Sequence, residues 1–273
     1  MRIFRTTPLS LFDTLWQHRA LMLEMARRDV IGRYRGSVLG IFWSFVQPLL
    51  MLTIYTFVFT QVFKARWHGD ASSSELNFAL NLFAGLIVFN IFAECANRAP
   101  GAILAHANFV TRVVFPLEII PCVHLLASLF HAAISLLVLL SAQLLLTGHL
   151  PTTLLFAPLV FLPLLLMVAG VSWFLSATGV YWRDIGQIIG LLVTGLLFVS
   201  PIFFPISALP TQWRFLAEFN PLSYPIELFR QLLLLGQPPA WDSWAAYTAF
   251  SAMLAWLGFA TFQYLRRGFA DVL

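Results

Sequence analysis

The chain has 273 residues, 60% of them hydrophobic and only 10% charged, with 27 Phe and a formal net charge of +4. That composition lies far outside the range of soluble domains and makes lipid the solvent for most of the chain. Its basic residues sit at the ends of apolar runs rather than along an aromatic-interleaved groove, which argues against a nucleic-acid binder, and its two cysteines, Cys95 and Cys122, imply neither a disulfide framework nor a thiolate metal site.

Before residue 36, Leu11, Leu15, Met22 and Met25 or Ala26 can share one helical face, with Asp13, Glu24, Arg27 and Arg28 largely elsewhere. This pattern predicts an amphipathic helix lying on the inner face of the membrane, either as an anchor or as part of a docking surface. Arg27, Arg28, Arg33 and Arg35 then form a basic collar against Ser37–Val62, 26 residues without a formal charge. The long charged lead and the length of the apolar run do not suit a cleavable signal peptide.

A helix of roughly 20 apolar residues crosses a hydrocarbon core of ~30 Å. Segments of that kind predict six spans, at about 37–62, 76–93, 117–147, 152–182, 185–204 and 243–265, in a single all-α membrane domain. Twelve of the 16 Arg and Lys residues fall on segments that this topology places in the cytoplasm, so both termini are expected inside. Residues 94–116 are then a cytoplasmic loop, a plain connector or a segment that a partner subunit grips. Pro201, Pro205 and Pro210 interrupt the fifth apolar run. The interruption predicts an outer hairpin over 205–240, and broken helices at membrane depth normally line a cavity.

The chemistry present is sparse. The single lysine, Lys64, is followed by Ala65, so no phosphate-cradling G-x-x-x-x-G-K-[ST] loop exists. The six His residues lack metal-ligand spacing, and His124 and His131 read as packed neutral imidazoles. The interiors of the expected spans carry no Asp, Glu, Lys or Arg, with Glu94, Glu118 and Asp184 at their boundaries. This disfavours ion-coupled transport and favours an externally powered permease. In the first span, Thr53, Thr56 and Thr60 follow i, i+3, i+7 spacing beside Tyr55 and Phe59. Hydroxyls and aromatic faces suit sugars, although such threonines also bond their own backbone. Gly186 and Gly190 form a G-x-x-x-G suited to close helix packing.

The order of Arg28-Asp29, Arg33-Tyr34-Arg35, Ser37-Val38-Leu39-Gly40, Trp43 and Gln47-Pro48 resembles the start of the ATP-binding-cassette permeases that export bacterial polysaccharides. Arg183 to Gln187, Ser200-Pro201-Ile202, Phe219-Asn220-Pro221-Leu222 and Glu227 to Arg230 resemble its later landmarks. O-antigen exporters are the nearest subgroup, with capsule and teichoic-acid exporters as relatives. The resemblance implies a homodimer in the bacterial inner membrane, with a cytoplasmic ATPase subunit under each copy. That partner would bind ATP and Mg, leaving this chain without catalytic residues, cofactor or metal. The substrate would be a glycan on a polyprenyl diphosphate lipid. Carried over by position, Arg28, Arg33, Tyr34 and Arg35 meet the lipid head. By the same resemblance Thr53, Tyr55, Thr56, Phe59, Thr60 and Phe198 would line the channel. Arg98, His106, Asn108 and Arg112 would couple to the ATPase, while Pro201, Pro205, Asn220, Pro221, Glu227 and Arg230 would form the outer gate. The alternatives are an exporter of small amphiphiles or drugs, and a membrane enzyme acting on lipid-linked sugars. A passive channel is disfavoured because no charged ring or filter-like repeat occurs.

Overall fold

A computed structural model of the chain describes residues 7–59, 75–111, 115–206 and 209–273. The chain enters through two helices rather than the one expected. Thr7 starts α1 (Pro8–Gln17) by accepting the Ser10 N–H on its hydroxyl at 3.3 Å. The helix breaks at His18, and α2 (Arg19–Tyr34) follows. Met22, Ala26 and Val30 recur every fourth residue of α2 and are buried, while Leu11, Leu15 and Met25 are partly buried against the hydrophobic core that Met22 and Ala26 join. The expected apolar face is therefore present but is shared between two helices.

Gly36 and Gly40, at φ 86° and 53°, turn the chain from α2 into the bundle, a backbone conformation open to glycine at little steric cost. A 3-10 turn over Gly40–Phe42 leads into α3 (Trp43–Phe57). Next come α4 (Glu75–Ala102), the short α5 (Ala107–Thr111), α6 (Ile119–Thr147), α7 (Ala157–Tyr181) and α8 (Ile185–Val199). Two short helices, α9 (Arg214–Glu218) and α10 (Ser223–Arg230), with a π-helical turn over Gln231–Leu235, precede α11 (Trp241–Leu265) and the final turn α12 (Phe269–Val272). No strand occurs among the described residues, and the protein is an all-α integral membrane protein.

Among the described residues, five helical segments are long and apolar enough to cross a membrane. The sixth, α8, has 15 residues, a length of about 22 Å that falls short of the hydrocarbon thickness. It stops at Val199, before the expected boundary at 204, because Pro201 cannot supply the N–H that would continue the helix. The larger difference is in α4, expected to end at 93 but helical to Ala102. Its extension carries Glu94 and Arg98 into a membrane-length helix, contrary to the expectation that the spans hold no acidic or basic side chain. Both charges are matched by side chains of α2. In the first span, the described helix covers only the middle of 37–62, and residues 60–62 lie outside the described residues.

The centre of the bundle is α4, 78% of whose apolar window is buried, packed against α6, α7, α8 and α10. The tightest helix pair is α7 with α11. A Cβ on Gly170 would lie 2.5 Å from the Leu254 carbonyl oxygen, and one on Gly258 would strike the Gly170 backbone. Only hydrogen at these two positions lets the backbones approach so closely. By contrast the span Gly40–Phe57, made of the 3-10 turn and α3, is only 11% buried and presents Phe42, Leu49, Leu50, Ile54 and Phe57 outward.

Candidate functional site

The end of α2 and the α4 extension carry charge pairs of the same order, Asp29 then Arg33 and Glu94 then Arg98, and the acid of each helix meets the arginine of the other. Four-residue spacing puts each pair on one helical face, so the two ladders meet crosswise. Arg98 donates two hydrogen bonds to Asp29, at 2.7 and 2.6 Å, and Arg33 donates to Glu94. Glu94 also lies 3.5 Å from Arg98 on its own helix. Burial alone pushes the Asp29 carboxyl up, but the Arg98 hydrogen bonds and charge outweigh it and hold Asp29 below the usual carboxylate range. Arg98, expected to face an ATPase, is thereby committed to fastening α2 onto the bundle.

Beside this ladder opens a cavity of about 440 Å³ between α2, α3, α4 and α6. Arg33, Tyr34, Gln47, Asn90, Glu94 and His131 supply polar groups to its wall. The Tyr34 hydroxyl lies 3.3 Å from His131 Nδ1, which joins the end of α2 to the middle of α6. Burial raises the Tyr34 pKa, so the phenol stays protonated and available as a donor. Tyr55 reaches the same cavity from α3. The arrangement combines one half-exposed guanidinium, several amides and an aromatic wall, a set suited to an anion with a polar attachment.

The expected head-group residues therefore divide. Arg33 and Tyr34 line the cavity, whereas Arg28 is an exposed side chain paired with Glu24 at 3.3 Å, and Arg35 is exposed outside the cavity lining. Gln47, Asn90, Glu94 and His131 were not among the expected site residues. The only sequence signal for Glu94 is its i, i+4 relation to Arg98, mirrored by Asp29 and Arg33.

The expected channel residues also divide. The Thr53 and Thr56 hydroxyls donate to the Leu49 and Leu52 carbonyls of their own helix, at 2.9 and 2.7 Å. Phe59 stacks near Phe78 and Phe203, at 5.1 and 6.2 Å, and Phe198 stacks on Phe203 at 6.0 Å. Phe203, absent from the expected set, thus joins the ends of α3 and α8. Thr60 lies outside the described residues.

Among the expected coupling residues, His106 stacks on Phe109 at 5.5 Å and Asn108 is exposed on α5. His106 also lines a second cavity, of about 410 Å³, with Arg28, Asp29 and His124. Arg112 lies outside the described residues. At the same end of the bundle Arg266 pairs with Glu118 and donates to the Phe115 carbonyl at 2.8 Å, while the Trp173 indole donates to the Glu118 carbonyl at 2.8 Å.

The hairpin expected on the outer side is fastened by two polar residues. Asn220 donates to the Ser200 hydroxyl at 2.8 Å and accepts the Leu222 N–H at 2.9 Å, tying the end of α8 to the start of α10. Arg230 is buried and donates to the carbonyls of Asn81, Pro201 and Ile202. Pro201 is buried beside this clamp, Pro221 accepts the Tyr247 hydroxyl at 2.8 Å, and Pro205 and Glu227 are half-buried in the hairpin.

A family model for the ABC-2 type transporter matches residues 21–234, from α2 to the π-helical turn after α10. The chain belongs to this family. As an ABC-2 type transporter it is similar along most of its length to curated relatives. An O-antigen export system permease protein RfbA from Myxococcus xanthus is 27% identical, covering 96% of this chain and 99% of the relative. One from Klebsiella pneumoniae is 26% identical, covering 93% and 95%. The polysialic acid transport protein KpsM of Escherichia coli is 26% identical, covering 86% and 90%. The matched region of this ABC-2 type transporter includes the charge ladder, both cavities and the hairpin as far as residue 234.

Proposed function

We propose that this ABC-2 type transporter is the membrane-spanning subunit of an ATP-driven exporter that moves polyprenyl-diphosphate-linked polysaccharide, of O-antigen type, from the cytoplasmic to the outer side of the bacterial inner membrane. The observation that carries the reading is its near end-to-end similarity to O-antigen export permeases. The cavity at Arg33 supports it, because a guanidinium beside amides and aromatic rings is the chemistry a sugar diphosphate requires. Arg33 and Tyr34 receive the diphosphate, with Arg28 and Arg35 guiding it from the basic rim. A second copy of the chain covers the exposed faces of α3 and α8, and Tyr55, Phe59 and Phe198 then face a shared path. Aromatic walls stack on sugar rings without demanding one linkage, which suits a polymer that must keep moving. An ABC ATPase, binding ATP and Mg, docks on the α5 segment at His106 and Asn108. Both termini lie in the cytoplasm, as the distribution of basic residues favours.

The test is to co-express the chain with its cognate ABC ATPase, purify through a tag on this subunit, and measure ATP hydrolysis in the complex and surface polymer in cells. A hydrolysing complex and polymer lost on deletion of this subunit are expected. Replacing Arg33 and Arg35 with Ala should lower surface polymer while the complex still assembles. Unchanged polymer after deletion of the subunit would remove the exporter reading.

A further inference from the structure

The charge ladder contains an asymmetry that bears on how the Arg33 cavity is filled. Arg98 is satisfied by two hydrogen bonds to Asp29. Glu94 touches Arg98 and Arg33 through the same oxygen, Oε1. Arg33 is the loosest member, with its side chain 38% exposed against 20% for Glu94. We infer that Glu94 is a displaceable counter-anion, which holds Arg33 at the cavity wall and yields it to the diphosphate of a lipid-linked ligand. The inference rests on the proposed head-group site and adds a residue that sets its specificity.

Releasing Arg33 from an isolated carboxylate would strand a poorly hydrated charge at membrane depth, which is costly. Here Arg98 remains one helical turn away from Glu94, so the carboxylate keeps a partner when Arg33 leaves. A diphosphate offers more negative charge and more acceptor oxygens than a single carboxylate, and a guanidinium binds such groups in a bidentate manner. The exchange is therefore favourable for a diphosphate. A neutral glycan cannot drive it, and neither can a phospholipid whose phosphate is balanced by its own ammonium. Glu94 thus keeps abundant zwitterionic lipid out of a site that must respond to a scarce ligand, and Tyr34 and His131 stand in the same wall to meet the groups that follow the phosphates.

The experiment uses the full chain in phosphatidylethanolamine nanodiscs, titrated with farnesyl diphosphate and, separately, with inorganic pyrophosphate. Glu94→Gln should bind farnesyl diphosphate about two- to fivefold tighter, the gain expected from removing a partly exposed competing ion pair. Arg33→Ala should bind about tenfold more weakly, and the gain should vanish in the Arg33→Ala/Glu94→Gln double variant. Farnesyl diphosphate binding without pyrophosphate binding assigns the lipid as the source, while a gain with both probes assigns the exchange to the diphosphate group whatever carries it. Unchanged or weaker binding by Glu94→Gln overturns the inference, as does a gain that persists without Arg33. Should Glu94→Gln not assemble, Glu94→Asp shortens the carboxylate and must shift affinity in the same direction. The readout is binding by the isolated chain, so its failure leaves ATP-dependent polymer export standing, and loss of the export reading leaves the exchange measurable.

Discussion

Replacing Arg230 with Met should release the outer hairpin. Arg230 reaches three carbonyls, those of Asn81 on α4 and of Pro201 and Ile202 in the turn after α8. The Asn81 oxygen sits inside α4 and keeps its helical N–H partner. Pro201 and Ile202 lie beyond the end of α8, and among the described residues no backbone N–H is bonded to their carbonyls. Met fills much of the same volume but leaves these two oxygens unpaired, at about 1–2 kcal/mol each. The expected cost is thus about 2–4 kcal/mol, allowing for the weaker loss at Asn81 and the modest worth of polar contacts within membrane bundles. Because about 1.4 kcal/mol is a factor of ten in an equilibrium, hydrogen exchange of the amides in 223–235 should accelerate by about 30- to 1,000-fold in nanodiscs. Arg230→Lys should recover part of this, since one ammonium cannot span three carbonyls as a planar fork does. Gly85 supplies an internal control. A Cβ there would lie 2.5 Å from Arg230 Nη2, so Gly85→Ala should loosen the hairpin in the wild-type background and do little in Arg230→Met. Exchange in 223–235 that stays within about threefold of wild type in Arg230→Met would refute the clamp.

Two further outcomes follow from the helix contacts. The folded-state pKa of Asp29 lies below its ordinary value, so its pair with Arg98 stabilises the docked α2 fully above about pH 3.9 and loses that contribution as pH falls through the lower folded pKa. Spin labels on α2 and α6 should report an acid-triggered separation in the wild type, whereas Asp29→Asn should show looser docking at neutral pH and no acid step at that site. At the α7–α11 contact, Gly258→Ala must force the backbones apart and should cost about 1–3 kcal/mol in mixed-detergent unfolding. Gly32→Ala, where an added Cβ meets open space, should leave the unfolding midpoint unchanged or slightly raised.

Membrane location, all-helical architecture and the position of most helices were legible in the residues themselves. An apolar run long enough to cross a membrane has few other uses, and backbone groups in lipid must be satisfied within a helix. The proline-broken segment after α8 was legible for the same kind of reason, because Pro201 and Pro205 withdraw N–H groups at fixed positions. The family was legible in the ordered motifs from Arg28 to Arg230, and Lys64-Ala65 showed that no P-loop lies in this chain.

What the residues did not disclose is which charges neutralise one another. A chain scan ends a membrane helix at Glu94, since an isolated carboxylate in lipid is costly, yet α4 continues to Ala102. Its charges are cancelled by Asp29 and Arg33, more than sixty residues earlier in the chain. The same holds for Arg98, whose basic side chain on an expected loop suggested docking but which instead secures α2. The Thr53 and Thr56 hydroxyls, by contrast, turn back to their own helix, the local alternative that their residue type already offered. Local pattern determined the solvent, the spans and the breaks, because hydropathy and backbone hydrogen bonding act over a few residues. Tertiary structure alone decided the site, because charge pairing, cavity shape and the close approach of Gly170 to Gly258 depend on residues that meet only after the helices have packed.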